Sequence, residues 1–121
     1  MVSKTILVVD DNESIIDLYY RILKKFNLTV EKAFNGVMAL DVVKMRKIDL
    51  IIMDFDMPYL NGIEALIEIK EIEPDIPVMI VSGEESSEIR EKAIKAGAID
   101  YLMKPVDIAI IRKYVTKLLN L

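Results

Sequence analysis

"LIIMDFDMPYLNG", residues 50–62, begins as an unbroken apolar run and ends in two aspartates, Asp54 and Asp56, on either side of one phenylalanine. Met57-Pro58 follows at once, and Asn61-Gly62 closes the stretch. A short apolar run bounded by turn residues reads as a strand buried on both faces, the kind that lies inside a parallel sheet. Such a strand carries Asp54 to the place where the sheet meets solvent. A strand that merely surfaced could end in almost any turn residue, so the pair of carboxylates is the feature to explain.

Similar runs recur on both sides: "TILVV" (5–9), "LTVEKA" (28–33), "PVMIVS" (77–82) and "DYLMK" (100–104). The segments between them have helical periodicity. Ile15, Leu18, Tyr19, Ile22, Leu23 and Phe26 recur at three and four, as do Ile63, Leu66 and Ile67, and again Ile108, Ile111, Val115 and Leu118. Residues 86–96 form a weaker helix whose apolar face comes mainly from Ile89 and Ala93. Gly36, Gly62 and Gly97 punctuate the joins, and Pro58, Pro74, Pro77 and Pro105 fall at run boundaries. Five strands alternating with five helices predict an α/β domain whose parallel sheet is covered on both faces. The three middle runs are expected to be fully buried. With 121 residues and no repeat, linker or low-complexity tract, residues 1–121 read as a single domain.

Composition narrows the chemistry. Hydrophobic residues make up 53%, enough for a substantial core. A net charge of −4 disfavours direct binding to nucleic acid or to an anionic membrane. Cysteine and histidine are both absent, which removes disulfides, thiolate sites, the commonest general base and the commonest metal ligand. No apolar run is long enough for a signal core or a membrane span, so a soluble, cytoplasmic protein is expected.

In an open α/β sheet ligands gather beyond the C-terminal ends of the strands. Those ends collect Asp10 and Asp11 from "ILVVDDNE", Asp54 and Asp56 from "LIIMDFDMP", Ser82 from "VMIVSGE" and Lys104 from "DYLMKP". Taken singly, each has a plain explanation: Asp10 with Glu13 fits a helix capping box, Asp54 a turn, Ser82-Gly83 another turn, Lys104 a surface lysine, and Asp107 a helix cap. Caps do not explain why all these groups meet at one rim. Clustered carboxylates repel unless a cation compensates, and an all-oxygen, histidine-free cluster suits Mg²⁺. Lys104 and Ser82 could then engage phosphate oxygens, and an ionised carboxylate is a nucleophile that needs no base. The constellation points to phosphoryl transfer onto an aspartate.

With "ILVVDDNE", "MDFDMPYLNG", "VSGEE" and "AIDYLMKPVD" in this order, the chain resembles a receiver domain of two-component response regulators over essentially its whole length. The resemblance implies a flavodoxin-like, doubly wound (βα)5 fold with five parallel strands in the order 2-1-3-4-5. It implies Asp54 as phosphoacceptor and also as a ligand of Mg²⁺ (or Mn²⁺), Asp10 and Asp11 as the acidic pair holding that ion, and Asp56 as a backbone-carbonyl ligand of the metal. Ser82 becomes the hydroxyl that contacts the phosphoryl group and Lys104 its cationic partner. Lys104-Pro105 becomes a cis peptide, and Tyr101 an aromatic switch, whose plain alternative is a half-buried strand tyrosine. The implied phosphodonor is a histidine kinase or a histidine phosphotransfer protein. The implied recipient is a downstream protein or a missing output domain, reached through the fourth helix, fifth strand and fifth helix. The fourth helix, poor in apolar contacts, is the element expected to move. The chain ends directly after the fifth helix, so it reads as a stand-alone receiver or as one separated from its output domain.

Three features depart from the commoner pattern. Asn61 replaces an aspartate before Gly62, an alteration expected to affect only a turn. Asp56 and Glu84 place acids two residues past the acceptor and the hydroxyl. "GAIDYLMKPV" lacks the second acid of the large DNA-binding class, which puts that class's dimer contacts in doubt. Two other readings compete. A haloacid-dehalogenase-type phosphatase also uses a D-x-D at a strand end, but Pro58 and the early position of Asp10-Asp11 fit it poorly. A phosphate-independent interaction module on the same fold would not need the full set of acids, hydroxyl and lysine.

Overall fold

The computed structural model describes residues 3–121. Its elements alternate strictly: β1 Thr5–Val9, α1 Glu13–Lys24, β2 Thr29–Ala33, α2 Gly36–Met45, β3 Leu50–Asp54, α3 Gly62–Ile72, β4 Val78–Ser82, α4 Ser87–Lys95, β5 Asp100–Met103 and α5 Ile108–Leu119. All neighbouring strands pair in parallel, in the order β2-β1-β3-β4-β5. This is the doubly wound, flavodoxin-like sheet that the resemblance to receiver domains implied.

The two-residue period of a strand divides the core in two. Leu7, Val9, Ile51, Met53, Val78, Ile80 and Tyr101 face one side, where α2, α3 and α4 contribute Leu40, Val43, Leu66, Ile69 and Ala93. Ile6, Val8, Leu50, Ile52, Met79, Val81 and Leu102 face the other, against Ile16, Tyr19 and Leu23 of α1 and Ile111, Val115 and Leu119 of α5. Full burial of a side chain such as Leu66 or Ile69 is worth roughly 2 kcal/mol, so the two faces supply most of the driving force for folding. The helices differ sharply in how much they bury. In α4 only Ala93 is buried, whereas α3 buries Ala65, Leu66 and Ile69 beside Gly62.

One expectation fails at β2. Thr29, Val30, Glu31 and Lys32 are only half-buried, and Ala33 alone is fully covered. The strand lies at the edge of the sheet, where polar side chains cost little and discourage pairing with a foreign strand. Helix α1 rules out the plain alternative for Asp10. Its cap is Asn12, whose side chain accepts from the amides of Ser14 and Ile15, so Asp10 and Glu13 form no capping box. Asp107 does cap α5, accepting from the Ala109 amide at 2.8 Å. Among the described residues, no helix is long and apolar enough to cross a membrane.

Candidate functional site

Strand order reverses between β1 and β3, and the two strand ends there carry Asp10 and Asp54. Both are 3% exposed, and Ser82 at the end of β4 is wholly buried. Backbone bonds fix these ends. The Phe55 amide donates to Val81 O at 2.8 Å, and the Lys104 amide donates to Ser82 O at 2.8 Å. Lys104 thus leaves β5 with its side chain directed into the rim. Its Nζ lies 3.1 Å from Asp54 Oδ1 and 3.7 Å from Asp10 Oδ2.

Carboxylate oxygens of Asp10, Asp11 and Asp54 lie within 4.8 Å of one another, with Asp11 exposed and the other two buried. Such an all-oxygen set fits a hard divalent cation. Asp10 is free to serve because Asn12 caps the helix. Its Oδ1 accepts from the Asn12 amide at 2.9 Å, which aims the carboxylate. Burial pushes the Asp54 carboxyl up to about 6, and the Asp10 charge adds to the rise, while Lys104 and the Asp56 amide hold it back. Burial raises Asp10 too, opposed by the Asn12 amide and by Lys104, with Asp11 adding to the rise. Burial alone would lower Lys104, but its bond to Asp54 and the surrounding acids outweigh that and raise it. The site is therefore short of positive charge, and one lysine does not neutralise it.

Asp56 is exposed, and its amide donates to Asp54 Oδ1 at 3.2 Å. Ser82 Oγ accepts from the Glu84 amide at 3.0 Å, which leaves its own hydrogen available to an incoming acceptor. Lys104-Pro105 is cis, as expected. Tyr101 is 1% exposed rather than half-buried, and its hydroxyl donates to the Glu84 carbonyl at 2.7 Å. The structure thus brings Asp10, Asp11, Asp54 and Lys104 together at one rim, with Asp56 on the adjoining loop, Ser82 at the end of β4 and Tyr101 tied to the loop that follows Ser82.

Two residues matter more than the sequence suggested. Gly62 is not simple punctuation. A Cβ there would sit 2.6 Å from the Asp54 carbonyl and 2.9 Å from Phe55 Cα, so α3 can start this close to the acceptor strand only with glycine. Asn61 does more than shape a turn. It forms a reciprocal capping box with Glu64, both bonds at 2.9 Å, and anchors the far end of the Asp54 loop. The S/T/D/N-x-x-E pattern "NGIE" was the signal for it.

An aspartate held at the switch point of a parallel sheet, beside two further acids and a lysine, defines an α/β protein whose rim suits a hard cation and an anion. The family model of the response regulator receiver domain matches residues 6–116, and the chain belongs to that family. It is 41% identical over 102 residues to the transcriptional regulatory protein ZraR of Klebsiella oxytoca, covering 84% of this chain but 23% of that protein. It is 34% identical over 121 residues to sporulation initiation phosphotransferase F of Bacillus subtilis, covering 100% of this chain and 98% of that one. Among solved structures it resembles the receiver domain of the response regulator Ssk1 of Saccharomyces cerevisiae, in a co-crystal with the histidine phosphotransfer signalling protein Ypd1. That match has a TM-score of 0.87 and 27% identity, covering 96% of this chain and 88% of the other. The chain is a receiver domain of two-component signalling, whose members are signalling phosphoacceptors, and the phosphatase and phosphate-independent readings are not favoured.

Proposed function

We propose that Asp54 accepts a phosphoryl group from a phosphohistidine of a partner, a histidine kinase or a histidine phosphotransfer protein, and that residues 1–121 act as one receiver domain. The observation that carries this is the 3.1 Å contact of Lys104 Nζ with a buried carboxylate that two other acids also face. Such an arrangement suits one more cation and, opposite Lys104, an anion.

Asp10, Asp11, Asp54 and the Asp56 backbone carbonyl would hold Mg²⁺, with Mn²⁺ as a substitute. Bound there, the ion supplies the positive charge that phosphoryl oxygens need. Asp54 Oδ attacks the phosphorus as the donor imidazole leaves, so the P–N bond breaks while the P–O bond forms. Lys104 pairs with one phosphoryl oxygen and the Ser82 hydroxyl donates to another. On this reading the chain is a signalling phosphoacceptor and no other enzyme: its own chemistry is self-phosphorylation from the donor and hydrolysis of the resulting acyl phosphate. An apolar groove of about 360 Å³, lined by Ile15, Leu18, Tyr19, Pro105 and Val106 and reaching Lys104, gives the donor a place to dock beside the acceptor. Output passes through α4, β5 and α5, to a downstream protein or an attached output domain.

The deciding experiment is intact mass after incubation with Mg²⁺ and a small acyl phosphate, with Asp54→Asn in parallel. One phosphoryl adduct in the parent and none in the variant is expected. An adduct of equal yield in Asp54→Asn would sink the assignment.

A further inference from the structure

A line of contacts leads away from Ser82 and does not stop at Tyr101. Ser82 Oγ is tied to the Glu84 amide, and the Glu84 carbonyl is tied to the Tyr101 hydroxyl. Arg90, in the first turn of α4, then engages Tyr101 from the other side. Its NH2 donates to the Tyr101 carbonyl at 2.9 Å, and its guanidinium lies 5.5 Å from the centroid of the Tyr101 ring. Its NH1 is 3.9 Å from Asp100 Oδ1. Asp100 also accepts from the Tyr101 amide at 2.7 Å and from the Tyr114 hydroxyl of α5. One side chain therefore meets the ring and carbonyl of Tyr101 and the acid that joins β5 to α5.

The rest of α4 offers little to hold it in place. Its other ion pairs among the described residues, Glu88–Lys92 and Glu91–Lys95, lie within the helix and attach it to nothing. Its apolar anchor is Ala93, with Ile89 packed beside the core. A hollow of about 240 Å³, lined by Glu85, Ser86, Ser87, Arg90, Tyr101 and Met103, opens next to the ring and gives it somewhere to go.

We propose that Arg90 is a positioning residue that holds Tyr101 inward and so couples the Asp54 site to the α4–β5–α5 face. This rests on the reading of Asp54 as the phosphoryl site. With Arg90 in place, the inward ring holds the Glu84 loop and, through it, the Ser82 hydroxyl ready for a phosphoryl oxygen. Without it, the ring exchanges with an outward position, and a ligand at Asp54 must bind the fraction that remains inward. Apparent affinity then falls by that fraction.

The test uses the full chain labelled with 3-fluorotyrosine, whose five tyrosines give five fluorine resonances, with Tyr101→Phe to assign the relevant one. The probe is beryllofluoride with Mg²⁺, which mimics an aspartyl phosphate. In the parent, the inward Tyr101 resonance is expected to dominate without the probe and to be the sole one on saturation. In Arg90→Ala, a second, solvent-like resonance is expected without the probe and should vanish on saturation. Beryllofluoride affinity should fall by the same factor as the inward fraction, about fivefold or more. Arg90→Lys, which keeps the charge but not the planar fork, should lie between. Normal binding with an unmoved Tyr101 resonance in Arg90→Ala would overturn the coupling alone, as would an affinity loss unmatched by any shift in population. A parent that does not bind the probe, or an Asp54→Asn variant that binds it equally well, would overturn the reading of the site and the coupling with it.

Discussion

Replacing the acceptor should stabilise the metal-free domain near neutral pH. Asp54 is 3% exposed, and its carboxyl is raised from 3.8 to about 6 by burial first and then by Asp10. In the unfolded chain the same group ionises near its ordinary value. Between about pH 4 and pH 6 the folded state therefore keeps a proton that the unfolded state has released, and stability falls as pH rises through that window. Above it the full penalty is present. At about 1.4 kcal/mol for each tenfold change in proton affinity, the displacement is worth about 3 kcal/mol. Asp54→Asn removes the ionisation but keeps an oxygen for the Asp56 amide and for Lys104. It also leaves Lys104 with less negative charge to face, so a net gain of about 1–3 kcal/mol is expected at pH 7.5. Urea unfolding in the presence of EDTA, at half-unit steps from pH 4 to pH 8, measures this as a shift in midpoint at constant slope. The advantage should be small at pH 4 and level off above pH 7. Adding Mg²⁺ should narrow it, because a ligand that binds only the native parent stabilises the parent. A variant less stable than the parent at pH 7.5, or an advantage that does not change with pH, would refute the reasoning.

Three other outcomes are expected. Gly62→Ala should cost about 2 kcal/mol, since the new methyl group overlaps the Asp54 carbonyl, and it should also slow adduct formation by shifting the acceptor; a melt and a labelling time course read the two effects separately. Tyr59 has φ 71° and is 88% exposed, in a tight turn where the Leu60 amide donates to Pro58 O at 2.8 Å. Tyr59→Gly should therefore raise stability by about 0.5–1 kcal/mol, and a lower melting temperature would count against strain at this position. Lys104→Ala should still bind Mg²⁺, with Asp10 and Asp54 pushed further up by loss of their counter-charge, yet give about tenfold less adduct and no conformational response; unchanged yield would remove Lys104 from the phosphoryl-binding set.

The strands that carry the site were legible because their burial is nearly complete and leaves one kind of pattern. "LIIM" and "VMIV" admit few other readings at that length, and their ends locate Asp54 and Ser82. The edge strand was harder to place. Glu31 and Lys32 sit in β2 because one side of that strand has no neighbour, a consequence of strand order that composition alone does not reveal. Helix α2 shows no clean stripe in "GVMALDVVKM", because Val37, Met38 and Met45 are exposed while Ala39, Leu40 and Val43 are buried. A cap at Asp10 competed with its role at the site because Asp10 and Asn12 both suit a helix start; only the backbone shows that Asn12 begins the helix. Gly62 owes its importance to the backbone of Asp54 and Phe55 at the other end of its loop, and Arg90 to Tyr101 on the following strand. Nothing within a few residues of either announces it.

A helix with a single fully buried residue, held otherwise by Ile89 and Arg90, has consequences for how such a domain changes over time. Most positions of α4 can be rewritten without disturbing either core, since only Ala93 is buried there. Recognition of a new partner can therefore be selected on that surface while the chemistry at the strand ends stays fixed. Core helices such as α3 offer no comparable freedom, because a changed residue there is felt by the sheet. On this account specificity in the domain drifts fastest where the fold has least at stake.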